Sequence, residues 1–352
     1  MALSDEAETV SASDLIRNGI VHFAAAPPMN FQHLDFPRYT LPLIEHDYPA
    51  KTAAMWNSAY AAFGMAAANV MLVGNADRAS VILDALRQDP RYLGGGAGVG
   101  FKQKVVDLLD ERDALVDLVG SVNFVSKTED GKLRGHNTDG VGYAVALEDV
   151  LRGRGECLPG KRVLMLGAGG TACAVAFALA ERGVRLHIVN RTADKAAALA
   201  SRVNAVYRDG CATASGDVDM DRLAATADIV VNVSTIGSAG VLAEYVALGP
   251  VDLPATPDSL RRNRDQAMLI LDRIPRSAIL SDVVIADGGT PLLRSARGRG
   301  FQVLDGVPMV INQAVEAFWT LHGQELSPQQ VCKGDVARTM RKAAVALKPA
   351  GI

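Results

Sequence analysis

Apolar positions along the chain follow two rhythms. Short apolar runs of strand length occur at YTLPLIEH (39–46), NVMLVG (69–74), ADIVVNVST (227–235) and AILSDVVIAD (278–287). Each is read as a buried strand. Other stretches repeat their apolar residues every three or four positions. AAMWNSAYAAFGM (53–65), DRASVILDALRQD (77–89), VVDLLDERDALVDLVG (105–120) and VPMVINQAVEAFWTLHG (307–323) are therefore read as helices. The last segment, SPQQVCKGDVARTMRKAAVAL, predicts a basic amphipathic helix with Ser327 as N-cap and Pro328 at its first position. Strands alternating with helices predict an α/β layer structure.

The clearest unit is KRVLMLGAGGTACAVAFALAERGVRLHIVNRT (161–192). An apolar strand runs into a glycine turn, a helix of small residues follows, and a second strand ends at Asn190. This is one βαβ unit. Glycines in that turn, Gly167-Ala168-Gly169-Gly170, let the backbone approach a pyrophosphate, and the helix N-terminus favours its charge. The second strand ends in Asn190-Arg191-Thr192 with Lys195 three residues on, so its end carries a cation and no acid. That suits the 2′-phosphate of NADP, with NAD as the alternative.

Composition narrows the partners. The 352 residues allow one large or two medium domains, and 49% are hydrophobic against 21% charged. A net charge of -3 and 5% aromatic residues give no support to nucleic acid or an anionic membrane as the main partner. The four cysteines, Cys157, Cys173, Cys211 and Cys332, form no CxxC pair, so neither a metal site nor a disulfide framework is expected. The acidic, polar start does not read as a signal peptide, no apolar run is of membrane-spanning length, and a cytoplasmic protein is expected. Residues 1–37 hold one short helical candidate after Ser13 and a loop around Pro27-Pro28; their role is open.

LRGHNTDGVGYAVAL (133–147) places Asp139 at the mouth of a predicted helix, as a cap or as a catalytic group. GGGAGVGFKQK (94–104) lacks the Gly-Lys-Ser/Thr of a phosphate loop, and its glycines are read as tight turns.

Four segments resemble the shikimate/quinate dehydrogenase family over about residues 39–325. They are GSVNFVSKTEDGKLRGHNTDGVGY, GAGGTACAVAFALAERG with VNRT, VNVSTIG, and TPLLRSARGRGFQVLDGVPMVINQAVEAFWTLHG. The resemblance implies two domains around a cleft: a discontinuous substrate domain (1–140 and 308–352, with 1–37 as an extension) and a Rossmann-type NADP-binding domain (141–307). It implies interconversion of a ring hydroxyl and a ketone with NADP, with Lys104 and Asp139 at the reacting oxygen and Asn123, Gln313 and Thr52 toward the substrate. Ser234, Gly306 and Met309 join the turn residues on the cofactor. The chemistry fits, because hydride removal from an alcohol carbon requires the hydroxyl proton to leave. Desolvation in a partly dry site is expected to lower the lysine pKa, and a carboxylate to raise it.

The chain departs from the family in the substrate half. The family's Ser-x-Ser/Thr pair falls on Ala50-Lys51-Thr52, its following proline on Ala53, and its Asn-Val-Thr on Gly98-Val99-Gly100. Its proline before the lysine falls on Lys102. Lys51 or Lys102 can supply charge in place of lost hydrogen bonds. A shikimate-like cyclic hydroxy acid is the expected substrate. The alternatives are an NAD-dependent quinate or other polyol dehydrogenase, or a nucleotide-binding regulatory protein without turnover. A homodimer is left open.

Overall fold

The computed structural model describes residues 11–25, 30–47, 51–216 and 220–346. The expected loop at Pro27-Pro28, and Ala50, lie outside them. The chain divides into two compact units, residues 1–138 with 314–352 and residues 139–313.

The first unit opens with α1 (Ala12–Arg17), which starts one residue before Ser13 and is capped reciprocally by Ser11 and Asp14. Its strands are β1 (Val21–Phe23), β2 (Tyr39–Thr40), β3 (Leu43–Ile44), β4 (Ala68–Asn69), β5 (Leu72–Gly74), β6 (Tyr92–Gly96), β7 (Glu111–Arg112), β8 (Phe124–Lys127) and β9 (Leu133–His136). Between them lie α2 (Thr52–Ala62), α3 (Ala79–Gln88), α4 (Phe101–Lys104) and α5 (Ala114–Val119). A six-stranded mixed sheet runs β4-β2-β6-β8-β9-β7, and a three-stranded sheet runs β1-β5-β3.

Two expected strands are each split between these sheets. YTLPLIEH becomes β2 and β3, and NVMLVG becomes β4 and β5. Pro42, which has no N–H for a ladder, sits at the first break. The helix expected over 105–120 is also corrected. It is a 3-10 turn at Val106–Leu108, then β7, then α5. Parallel pairing of Glu111 with Arg134 and of Arg112 with Gly135 gives this segment a sheet edge, which outweighs its helical periodicity.

Glycine is required where β6 passes between its neighbours. A Cβ on Gly95 would overlap the Leu41 carbonyl, and one on Gly94 the Val125 carbonyl. The aromatic side of this unit packs Trp56 against Phe318 and Phe124 at ring distances of 5.0 and 5.9 Å. Aromatic pairs of this kind contribute about 1 kcal/mol each beyond the area they bury.

The second unit begins with α6 (Asp139–Arg152) and continues with β10 (Arg162–Leu166), α7 (Gly170–Glu181), β11 (Arg185–Val189), α8 (Ala193–Val206), β12 (Ala212–Ser215), α9 (Met220–Ala224) and β13 (Ile229–Asn232). It then forms α10 (Pro257–Arg273), β14 (Ile279–Asp282), α11 (Pro291–Gly298) and β15 (Gln302–Leu304). The six strands are parallel in the order β12-β11-β10-β13-β14-β15. This is the doubly wound dinucleotide-binding order, with its switch point between β10 and β13. Every residue of β13 and β14 is buried, as expected of a parallel sheet covered on both faces.

Helix α12 (Val307–Leu326) crosses the divide between Gln313 and Ala314. It continues past Gly323, where its end was expected. Ser327 does not cap the closing helix: it lies in a 3-10 turn and donates to the Gly323 carbonyl at 2.6 Å. Left-handed Gln330 then breaks the chain, and α13 starts at Lys333, with Asp335 accepting the Cys332 N–H at 2.9 Å.

Candidate active site

The cofactor turn is built at the switch point. Gly167 follows β10 at φ 121°, a backbone position that L side chains rarely adopt. A Cβ there would stand 3.0 Å from the Ser234 nitrogen and the Val233 carbonyl, so the turns after β10 and β13 lie against each other. Ala168 is half-buried, while Gly169 and Gly170 are exposed with open space where a Cβ would project. Gly169 caps α7 without a side chain over the first-turn N–H groups. A twelve-residue helix with its N-terminus uncovered, and no side-chain bulk on the approach, fits a pyrophosphate.

At the end of β11, Asn190 donates to the Thr192 carbonyl at 2.9 Å and holds that turn. Arg191, Thr192 and Lys195 are exposed around it. Thr192 is the N-cap position of α8 and makes no side-chain cap bond. Ser234 is turned inward: its hydroxyl donates to Asn232 at 2.6 Å and accepts from Ile236 N–H at 3.2 Å.

Asn232 also donates to Asp282 at 3.0 Å, and Thr290 donates to the other oxygen of that carboxylate at 2.7 Å. Burial pushes the Asp282 pKa up to about 6 despite these donors. This brace at the strand ends was not expected from sequence, where SDVVIAD reads only as a strand end.

Gly306 precedes α12, and a Cβ there would overlap the Val283 carbonyl. Met309 is buried, and Met309 O and Gln313 N each lie 2.8 Å from where a Cβ on Gly142 would be. Gly142 thus permits the close approach of α6 and α12 that places Gln313.

Asp139 is the first residue of α6 and is 3% exposed. Its place in the first turn suits the helix dipole. Gly140, next to it, lies under the Ala174 carbonyl of α7 and leaves no room for a side chain. Upstream, Asn137 donates to Ser121 O at 3.0 Å and Thr138 is gripped by Asn123. His136 bonds Asp113 at 2.5 Å through Nδ1 and Ser126 at 2.7 Å through Nε2. These are the residue types of a hydrolytic triad. However, β8 lies between β6 and β9, and ladder pairing on both flanks takes the N–H groups an oxyanion would need. The three residues brace the strand that leads to Asp139.

Lys104 ends α4, and its ammonium donates to Asp77 at 2.7 Å. The pair is exposed, at 57% and 73% of the side-chain surfaces. The expected partly dry lysine is therefore corrected. Asp77, through its hydrogen bond and charge, holds the Lys104 pKa above its usual value, and Glu45 adds in the same direction. Asp77 and Glu45 were missed in the sequence, since nothing in their local pattern marks them as partners of residue 104.

Lys51 directs its ammonium at the Ala344 carbonyl, 3.4 Å away, and Thr52 opens α2 beside it. The loop that carries Gly98 to Gly100 hangs from β3 and the segment before β8. Gly98 N–H donates to Leu43 O at 2.8 Å, and Ala97 N–H to Asn123 O at 2.9 Å.

A family model described as shikimate / quinate 5-dehydrogenase matches residues 150–245. A shikimate dehydrogenase (NADP(+)) of Methanosarcina acetivorans is 31% identical over 302 residues, 82% of this chain and 93% of the relative. Among solved structures, quinate dehydrogenase from Corynebacterium glutamicum in complex with NAD is 28% identical with TM-score 0.68, over 88% of this chain and 99% of that one. The ligand-free 5-ketofructose reductase of Gluconobacter sp. strain CHM43 is 26% identical with TM-score 0.65, over 87% and 98%.

Proposed function

Because the chain belongs to the shikimate/quinate dehydrogenase family, we propose that it is an NADP-dependent oxidoreductase interconverting a secondary hydroxyl and a ketone on a polyhydroxylated substrate of shikimate size. The observation that carries this reading is the uncovered glycine turn at the switch point of a doubly wound sheet, Gly167 to Gly170.

When bound, the nicotinamide exchanges a hydride with the alcohol carbon. The chain's residues do the rest. Exposed Arg191 and Lys195 at the end of β11 favour the ribose 2′-phosphate, and Thr192 lies between them. Lys104, hydrogen-bonded to Asp77, polarises the reacting oxygen. Asp139 takes the hydroxyl proton in oxidation and returns it in reduction. Asn123 and Gln313 orient the substrate hydroxyls, and Ser234, Gly306 and Met309 shape the nicotinamide end.

A second reading, a dehydrogenase of other polyols or keto-sugars with NAD as an alternative cofactor, is favoured by the altered loop at Gly98-Val99-Gly100 and by the likeness to 5-ketofructose reductase. Family membership and four free cysteines support a cytosolic enzyme.

The test is to mix purified protein with NADP+ or NAD+ and a panel of shikimate, quinate and neutral polyols, and to follow reduced nicotinamide absorbance. Turnover with NADP+ is expected. Cofactor binding without turnover of any member in either direction would favour a regulatory protein.

A further inference from the structure

In the first unit, Glu45 lies against the Gly98-Val99-Gly100 loop. Its backbone N–H donates to the Val99 carbonyl at 3.1 Å. Gly100 adopts φ 87°, and a Cβ there would overlap the Glu45 carboxylate and stand 2.7 Å from Glu45 Cβ. The space a side chain at position 100 would fill is therefore occupied by a carboxylate. Glu45 is half-buried in this place.

The charges nearby point the same way. Lys104 is already bonded to Asp77 at 2.7 Å, and Glu45 is close enough to raise its pKa further. The Lys104 ammonium thus faces the Asp77 carboxylate and feels that of Glu45, so it is not a free cation for a substrate carboxylate. Lys51, the cation nearest Thr52, is directed at the Ala344 carbonyl.

We infer that Glu45 sets the substrate class, accepting hydrogen bonds from the hydroxyls of an uncharged polyol or keto-sugar and disfavouring a substrate carboxylate. A carboxylate lining a site accepts from hydroxyls and opposes a second carboxylate by like-charge repulsion. This inference rests on the dehydrogenase reading of the same site.

The test compares shikimate with its neutral methyl ester and with neutral polyols, using NADP+ and NAD+, for the wild type and Glu45→Gln. Gln keeps the shape of Glu45 and removes its charge. The wild type is expected to favour the ester over the acid by about tenfold or more in kcat/KM, as like-charge juxtaposition in a site implies. Glu45→Gln should move that ratio toward one, mainly by lowering KM for shikimate. Preference of the wild type for shikimate, or a ratio unmoved in Glu45→Gln, overturns the inference and leaves the dehydrogenase reading standing. If Glu45→Gln does not fold, the wild-type ratio alone decides. No turnover of any substrate with cofactor bound overturns both.

Discussion

Asn123 grips Thr138 through both ends of its amide. Its Oδ1 accepts the Thr138 N–H at 2.8 Å, and its Nδ2 donates to Thr138 Oγ1 at 3.0 Å. Thr138 is the residue before Asp139, so this clamp fixes the backbone from which the buried carboxylate departs. Asn123→Ala removes these hydrogen bonds, each contributing about 1 kcal/mol, and frees that backbone. Because small misplacements at a reacting centre are costly, kcat should fall by about 10- to 100-fold with NADP binding unchanged. Steady-state kinetics with a parallel cofactor titration checks this; an unchanged kcat would show that the clamp is only structural.

The Lys104–Asp77 pair predicts a pH effect. Asp77 raises the lysine pKa, so Asp77→Asn lowers it again. If protonated Lys104 is needed, the alkaline limb of the kcat/KM profile moves to lower pH in Asp77→Asn. Lys104→Ala should lose about 10²- to 10³-fold in rate at neutral pH. A pH–rate profile identical in wild type and Asp77→Asn would remove Lys104 from the reaction.

Arg191 is exposed at the end of β11, where no acid stands on the strand end. Arg191→Ala should raise the Kd for NADP+ by about tenfold while leaving NAD+ within about twofold, since only the former carries the 2′-phosphate. Calorimetric titration with both cofactors decides. An equal loss for both would place Arg191 away from that phosphate.

Asp282 makes a stability prediction. Burial raises its pKa from 3.8 to about 6. The folded state therefore keeps a proton that the unfolded chain has already lost between those values. The stability tied to that proton is present at acid pH and is lost as pH rises from about 4 to about 6, in total about 3 kcal/mol. Asp282→Asn cannot titrate, so its stability relative to wild type should be greater at pH 7.5 than at pH 4.5. Urea unfolding at the two pH values measures this; a constant difference would show that Asp282 titrates normally.

The cofactor half was legible because its signals are local. A strand, four turn residues and a helix of small residues are contiguous in sequence, and they form β10, the turn and α7 where expected. The substrate half was less legible because tertiary pairing decides it. The apolar residues of 105–120 have helical spacing, yet the edge offered by Leu133–His136 draws Glu111 and Arg112 into a strand. YTLPLIEH reads as one strand, but its two ends join different sheets on either side of Pro42. Glu45 and Asp77 lie 59 and 27 residues before Lys104, and no spacing rule connects them.

The central claim is that Asp139 is the acid/base of an NADP-dependent dehydrogenase. The most direct measurement is single-turnover NADP+ reduction by wild type and Asp139→Asn on the best substrate of the panel, with NADP+ Kd measured alongside. The account predicts a loss of about 10²- to 10⁴-fold in rate with Kd within about twofold, because a positioned acid/base contributes that much and the cofactor turn is built from other residues. Equal rates in the two proteins would contradict it and leave Asp139 as a residue of the first helical turn alone.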